Sequence, residues 1–213
     1  MIDHFMYGVA DLDAGIAWSE DVFGVAAVRG GSHAGLGTCN ALLSFGDTYL
    51  EIIAPDLKQP LDGTMGGRLQ KLTQSGLITW CARGDLNQVA AILKSRAIDS
   101  AGPVTTRRQT PSGEWLEWQL LFPRKHPFAG QLPFFIDWMQ CAHPAKTNPL
   151  AGALRRFEIT TLEAQRYREA MNGLASGLEV SSGPPAMKAT VEGQRGIVEL
   201  ATNAETVKLS IFG

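Results

Sequence analysis

No stretch of this chain approaches the roughly 20 consecutive apolar residues that a membrane-crossing helix needs. Its first residues predict no secretory leader, since a basic start is lacking and Asp3, His4, Asp11 and Asp13 interrupt any apolar run. Neither sign of charge dominates: 19 Lys+Arg against 21 Asp+Glu leave a net charge of −2, with no basic stripe and no acidic block. That excludes the electrostatic footprint of nucleic-acid or anionic-membrane binding. Cysteine is scarce. Cys39, Cys81 and Cys141 form no CxxC and no zinc-like spacing, so they are expected to be reduced, small apolar residues of a cytoplasmic protein. A dinucleotide fingerprint is missing as well. "GGSHAGLGTCN" (30–40) offers Gly35-x-Gly37 but has Asn40 where a third glycine is required, and it leads into a strand, which argues against a nucleotide cofactor. No GxSxG elbow, low-complexity segment or coiled-coil heptad is present.

What is present is a repeat. The 213 residues are 45% hydrophobic, enough for a sizeable core. "YGVADLDAGIAW" (7–18) matches "CARGDLNQVAAIL" (81–93), so that Asp11-Leu12-Asp13 falls on Asp85-Leu86-Asn87, an offset of 74 (85 − 11). Each copy reads strand, acidic turn, helix, with the Asp placed to accept from free N–H groups of the first helical turn. Leu12, Ile16, Ser19 and Phe23 share one helical face; Leu86, Val89, Ala90 and Leu93 share the other. "VAAVRGG", "TCNALLSFG" and "TYLEIIAP" follow the first helix as strands, with a hairpin turn at Gly46-Asp47. "AGPVTTRRQ", "EWLEWQLLF" and "LPFFIDWMQ" follow the second, with a turn at Pro111-Ser112-Gly113. A weaker third copy starts near residue 153 and puts Ala164, Tyr167, Met171 and Leu174 on one helical face. The segment "HPAKTNPLAG" (143–152) is the boundary expected before it.

These units predict an α+β fold of paired βαβββ modules, at about 1–58 and 75–142, forming a curved mixed sheet around a cavity over residues 1–145. A third βαβββ-like unit over 146–213 is expected to pack on it. Within three apolar strands stands one ligand-type residue each: His4, Glu51 and Asp137. Period two puts Ile2, His4 and Met6 on one face, and Tyr49, Glu51 and Ile53 on another. An ionisable group in such a run is costly to bury unless paired or bound to metal.

In "IDHFMYGVADLDAGIAW", "GGSHAGLGTCNALLSFGDTYLEIIAP" and "LPFFIDWMQ" the chain resembles the glyoxalase-like domain proteins of the vicinal oxygen chelate superfamily, the group that also holds bleomycin-resistance proteins and dioxygenases. The resemblance implies that the first and last strands of each module gather side chains around a divalent metal. It places His4 and Glu51 at those positions of module one and Asp137 at the last-strand position of module two. The remaining position, near residue 78 (4 + 74), is Ile78, beside Thr79 and Trp80, so a fourth ligand is missing. One imidazole and two carboxylates hold Zn, Mn, Fe, Co or Ni with water at the open positions.

Two readings stay open. In the first, Glu51 or Asp137 is also the catalytic base of a lyase or isomerase acting on a small oxygen-chelating substrate; an extradiol-type dioxygenase ranks lower, since only His4 is well placed. In the second, the same residues form a hydrogen-bonded cluster in a metal-free module that binds or sequesters a small molecule. For either, His33, Thr38 and Asn40 are expected to contact ligand from a flexible loop at the cavity rim, with Trp80 and Trp118 as lining. His33 is equally read as a solvated surface residue, and Arg107 and Arg108 as exposed arginines or anion contacts at the mouth. His126 and His143, in Pro-bounded loops, are expected to be exposed. A homodimer is compatible with the resemblance.

Overall fold

The computed structural model describes residues 1–109 and 115–209. The expected turn at Pro111-Ser112-Gly113 and the Arg108 side chain lie outside the described residues. Strand β1 (Ile2–Gly8) runs into Asp11, whose carboxylate accepts from the Ala14 N–H at 2.7 Å and starts helix α1 (Leu12–Phe23). Gly24, at φ 76°, ends that helix in the left-handed region that glycine tolerates. Strands β2 (Val28–His33), β3 (Thr38–Ser44) and β4 (Tyr49–Pro55) complete the first module. A short helix α2 (Met65–Leu69) precedes β5 (Gly76–Arg83). Asp85 then caps α3 (Leu86–Ser95) by accepting from the Asn87 and Gln88 N–H groups, and β6 (Asp99–Gln109), β7 (Trp115–Arg124) and β8 (Phe134–Asp137) follow. After the one-turn helix α4 (Pro144–Thr147) come β9 (Gly152–Thr161), α5 (Ala164–Met171), β10 (Glu179–Ser182), β11 (Ala186–Gly193) and β12 (Gly196–Ala201), again in the order βαβββ.

The two modules make one strongly curled eight-stranded sheet in the order β2-β3-β4-β1-β5-β8-β7-β6. Adding four to each label turns one half of that order into the other. β1 lies parallel to β4 as β5 lies parallel to β8, and β1 and β5 meet antiparallel at the centre. The repeat at an offset of 74 thus occupies equivalent places in one sheet. The third unit forms a separate four-stranded sheet, β10-β9-β11-β12. Among the described residues no helix is long and apolar enough to cross a membrane.

One face of the curled sheet carries the main core. Phe5, Leu43, Ile52, Trp80 and Phe135 pack there with Leu12 and Phe23 of α1 and Leu86 and Leu93 of α3. The third unit covers the same face: Phe157 meets Phe5 and Trp80 edge-on at 4.8 and 5.2 Å. Gln131 ties the sheets together. Its carbonyl accepts from Trp80 Nε1 and Tyr167 Oη, both at 2.7 Å, and its amide donates to the Thr160 and Ala186 carbonyls. The other, inner face carries a second apolar cluster of Met6, Ile53, Ile78, Cys81, Phe134 and Ile136, onto which Met65 and Leu69 of α2 pack.

Two expectations change here. "GGSHAGLGTCN" is not a flexible loop: β2 and β3 pair as an antiparallel hairpin, irregular between Arg29 and Ser32, with Gly35 and Gly37 at positive φ in its turn. That turn also seats α2, because the Gly66 N–H donates to the Leu36 carbonyl at 3.0 Å. A Cβ at Gly66 would lie 1.8 Å from the Gly37 carbonyl oxygen. Gly66→Ala must therefore push α2 off its seat. It is expected to lose about 1–3 kcal/mol of stability, read as a lower urea midpoint at unchanged m-value. The second change concerns Ile2, which packs in the main core with Phe5 instead of sharing the inner face with His4 and Met6.

Candidate functional site

The reason lies in a β-bulge at the start of β1. Ile2 faces Ala82 and His4 faces Cys81, so Asp3 is one residue too many for its partner strand. A bulge re-aims the side chains that follow it. Here it lets neighbours Asp3 and His4 touch, with His4 Nδ1 2.7 Å from Asp3 Oδ1. The His4 ring stacks on Tyr49 at 4.6 Å and meets Phe134 edge-on at 5.4 Å.

Asp3 is fully buried and saturated with donors. Its Oδ2 accepts from His143 Nε2 at 2.9 Å and from Trp138 Nε1 at 3.0 Å, while Arg83 Nε stands 3.7 Å away. Burial pushes the Asp3 carboxyl up, but the hydrogen bonds from His143 and His4 outweigh it and hold the group well below the usual carboxylate range. His143 Nδ1 accepts from the Ala145 N–H at 3.2 Å, so its Nε2 carries the proton. By the same logic the anionic Asp3 keeps a proton on His4 Nδ1. His4 Nε2 is then turned toward Glu51 Oε2, 3.5 Å away.

Glu51 is held from the other side. Asn40 Nδ2 donates to its Oε1 at 2.6 Å, and His33 Nε2 lies 3.6 Å from the same oxygen. The Asn40 amide cannot flip without loss, because its Oδ1 accepts from the Gly31 N–H at 2.8 Å. His33 Nδ1 reaches Thr38 Oγ1 at 2.9 Å, and Thr38 itself is buried. A polar string thus crosses the inner face from Thr38 through His33, Asn40, Glu51, His4 and Asp3 to His143. Apolar Met6, Ile53, Ile78, Phe134 and Ile136 line the face beside it.

Two atoms in this string keep no strong hydrogen bond, His4 Nε2 and Glu51 Oε2. Ligand atoms about 2.1 Å from one ion at a tetrahedral angle lie roughly 3.4 Å apart, and this pair is separated by 3.5 Å. An imidazole nitrogen with a carboxylate oxygen suits Zn, Mn, Fe, Co or Ni. Asp3, His4 and Cys81 also bring ligand-type atoms within 4.8 Å of one another. That trio is a poorer holder of an ion. Burial pushes the Cys81 thiol up and keeps it protonated, and Asp3 already spends both oxygens on three N–H donors.

Asp137 is not brought to this point. Phe134 and Ile136 of β8 belong to the inner cluster and Phe135 to the main core, so alternation puts Asp137 on the core side. Its Oδ1 accepts from the Met139 N–H at 2.8 Å. Trp80 likewise points to the main core, fully buried. Trp118 does stand over the inner cluster, 5.6 Å from Trp138. Arg107 lies over the Trp115 ring at 4.8 Å. His143 corrects an expectation of exposure: its side chain is only 11% exposed and serves Asp3. Asp3, Trp138 and His143 are the members that sequence reading missed.

A curled sheet of two βαβββ modules thus carries an imidazole–carboxylate pair on its inner face, the architecture of a glyoxalase-like domain. The model of the glyoxalase-like domain matches residues 2–175, both modules together with β9 and α5, and the chain belongs to that family. Among solved structures, a hypothetical protein from Staphylococcus aureus shares the fold at 17% identity and TM-score 0.63, covering 95% of this chain and 86% of that one. A methylmalonyl-CoA epimerase from Mycobacterium tuberculosis is 24% identical over 63% of this chain and 85% of its own, with TM-score 0.47. A variant of the Streptomyces coelicolor epimerase, in complex with 2-nitronate-propionyl-CoA, is 19% identical over 63% of this chain and 94% of its own, with TM-score 0.45. These last two likenesses are too slight to bear on chemistry. No curated protein matches the chain.

Proposed function

We propose that the chain is a divalent-metal-dependent isomerase or lyase acting on a small substrate that chelates through neighbouring oxygens. The observation that carries this reading is the 3.5 Å gap between His4 Nε2 and Glu51 Oε2, with the other polar atoms of both side chains already committed. An ion held there supplies Lewis-acid stabilisation of a developing enolate oxygen. The chain's own residues do the rest. Asp3 fixes the His4 tautomer and the orientation of its ring. Asn40 orients Glu51 by donating to its Oε1. Glu51, as ligand and base, would take up the proton from a substrate C–H bond beside that oxygen and give it back to a substrate carbon or to the leaving group. Module two contributes Ile78, Phe134 and Ile136, which exclude water and leave coordination positions to substrate.

That apolar half also favours a second reading, a metal-free module that binds or sequesters a small molecule. Metal analysis separates the two. The protein as purified, or after titration with Mn, Co, Ni or Zn, is expected to hold one ion per chain. A substoichiometric content with no uptake on titration would leave the sequestering module as the function.

A further inference from the structure

Helix α2 carries an arginine where its pattern calls for an apolar residue. Met65, Leu69 and then Leu72 pack against the inner cluster of Met6, Ile53 and Ile78. Arg68 stands one turn after Met65 on the same side of the helix and directly before Leu69. Its Nε is buried and has no hydrogen-bond partner, and among the described residues no carboxylate pairs with its guanidinium. Every other element of this helix is built for close seating: Thr64 caps it, and Gly66 and Gly67 leave no room for a Cβ against the Gly37 and Leu61 carbonyl oxygens. A seat this exact holds the arginine in place without satisfying it. A buried donor left unpaired in a native fold calls for a partner from outside the fold.

From these observations we propose that Arg68 is the anchor for a carboxylate group of the ligand, and that the substrate class is therefore a small carboxylic acid. The inference rests on the inner face being the ligand site, as in the function proposed above. The arginine fork matches a carboxylate through two parallel N–H···O bonds, and a single cation balances a single negative charge. A phosphate, with nearly twice that charge, would want a second cation or a nest of backbone N–H groups. Met6 and Ile53, which α2 covers, stand two residues along their strands from His4 and Glu51 respectively. Helix α2 thus covers the strands next to that pair, so an acid spanning both presents its chelating oxygens at one end and its carboxylate at the other.

The test uses glutarate as the probe, glutaramide as its uncharged counterpart and inorganic phosphate as a generic anion. In ¹H–¹⁵N spectra of the full chain without metal, glutarate is expected to shift the Arg68 Nε–H resonance saturably, and glutaramide is not. Arg68→Gln should weaken glutarate binding roughly tenfold or more, in this same metal-free protein. A failed metal site therefore shows in metal uptake and a failed carboxylate anchor in glutarate binding. Arg68→Met is expected to melt no lower than the wild type, because the residue serves no internal partner. Three results would overturn the proposal: equal glutarate binding by Arg68→Gln, no saturable shift at millimolar glutarate, or phosphate binding more tightly than glutarate. A marked loss of stability in Arg68→Met would do so too, by making the residue structural.

Discussion

Asp3→Ala is expected to lower the stability of the fold by about 3–5 kcal/mol. Three buried donors, on His4, His143 and Trp138, converge on this carboxylate, and each would lose its acceptor. An orphaned buried donor costs about 1–3 kcal/mol, and the saving from no longer burying a carboxylate offsets part of the sum. The pH dependence has a definite sign. A carboxyl held below its ordinary value contributes fully above about pH 3.9, and the contribution fades as pH falls further toward the native-state value. The gap between wild type and Asp3→Ala in urea midpoint should thus be wide near neutrality and shrink in acid. A gap below about 1 kcal/mol at neutral pH would mean that the donors find other acceptors and that Asp3 is not the keystone of the site.

His4→Ala and Glu51→Gln are expected to abolish divalent-metal binding, each on its own. Both atoms that face the gap come from these two residues; module two sets apolar Ile78, Phe134 and Ile136 on the same face, and Cys81, opposite His4, is kept a thiol by burial. Thermal melts make the effect visible. A ligand present at about 100 times its dissociation constant stabilises the native state by about 2.7 kcal/mol. The wild type should rise in melting temperature with Mn, Co, Ni or Zn, and both variants should not. Metal-dependent stabilisation that survives in either variant would place the ion elsewhere, with the Asp3, His4 and Cys81 group as the first alternative for Glu51→Gln.

The paired architecture was legible because it rests on local chemistry repeated twice. Asp11 and Asp85 start equivalent helices by capping them, and the last three strands of each module pair antiparallel with their neighbours in sequence. His4 and Glu51 stood out as ionisable groups in apolar strands. Asp3 did not, since strict alternation sends it to the core side, and the bulge that overrides this arises only from pairing with β5. His143 and Trp138 reach Asp3 from 140 and 135 residues away, a juxtaposition that no spacing encodes. Asp137 was nominated as a ligand-type residue in an apolar strand, at the last-strand position that the resemblance gives to module two. The alternation of Phe134 and Ile136 against Phe135 already places it on the side away from His4.

The near-palindromic strand order has a consequence for the orientation of a ligand. With identical halves, the seam between β1 and β5 would present the same groups on either side of its dyad. A molecule lying across it could be rotated half a turn about the dyad without noticing. This seam is not so balanced, because module one supplies imidazole, carboxylate and amide where module two supplies isoleucine and phenylalanine. Anything lodged there meets a hydrophilic pole at one end and an oily pole at the other. A duplicated scaffold has in this way become an asymmetric mould that distinguishes one end of a molecule from the other.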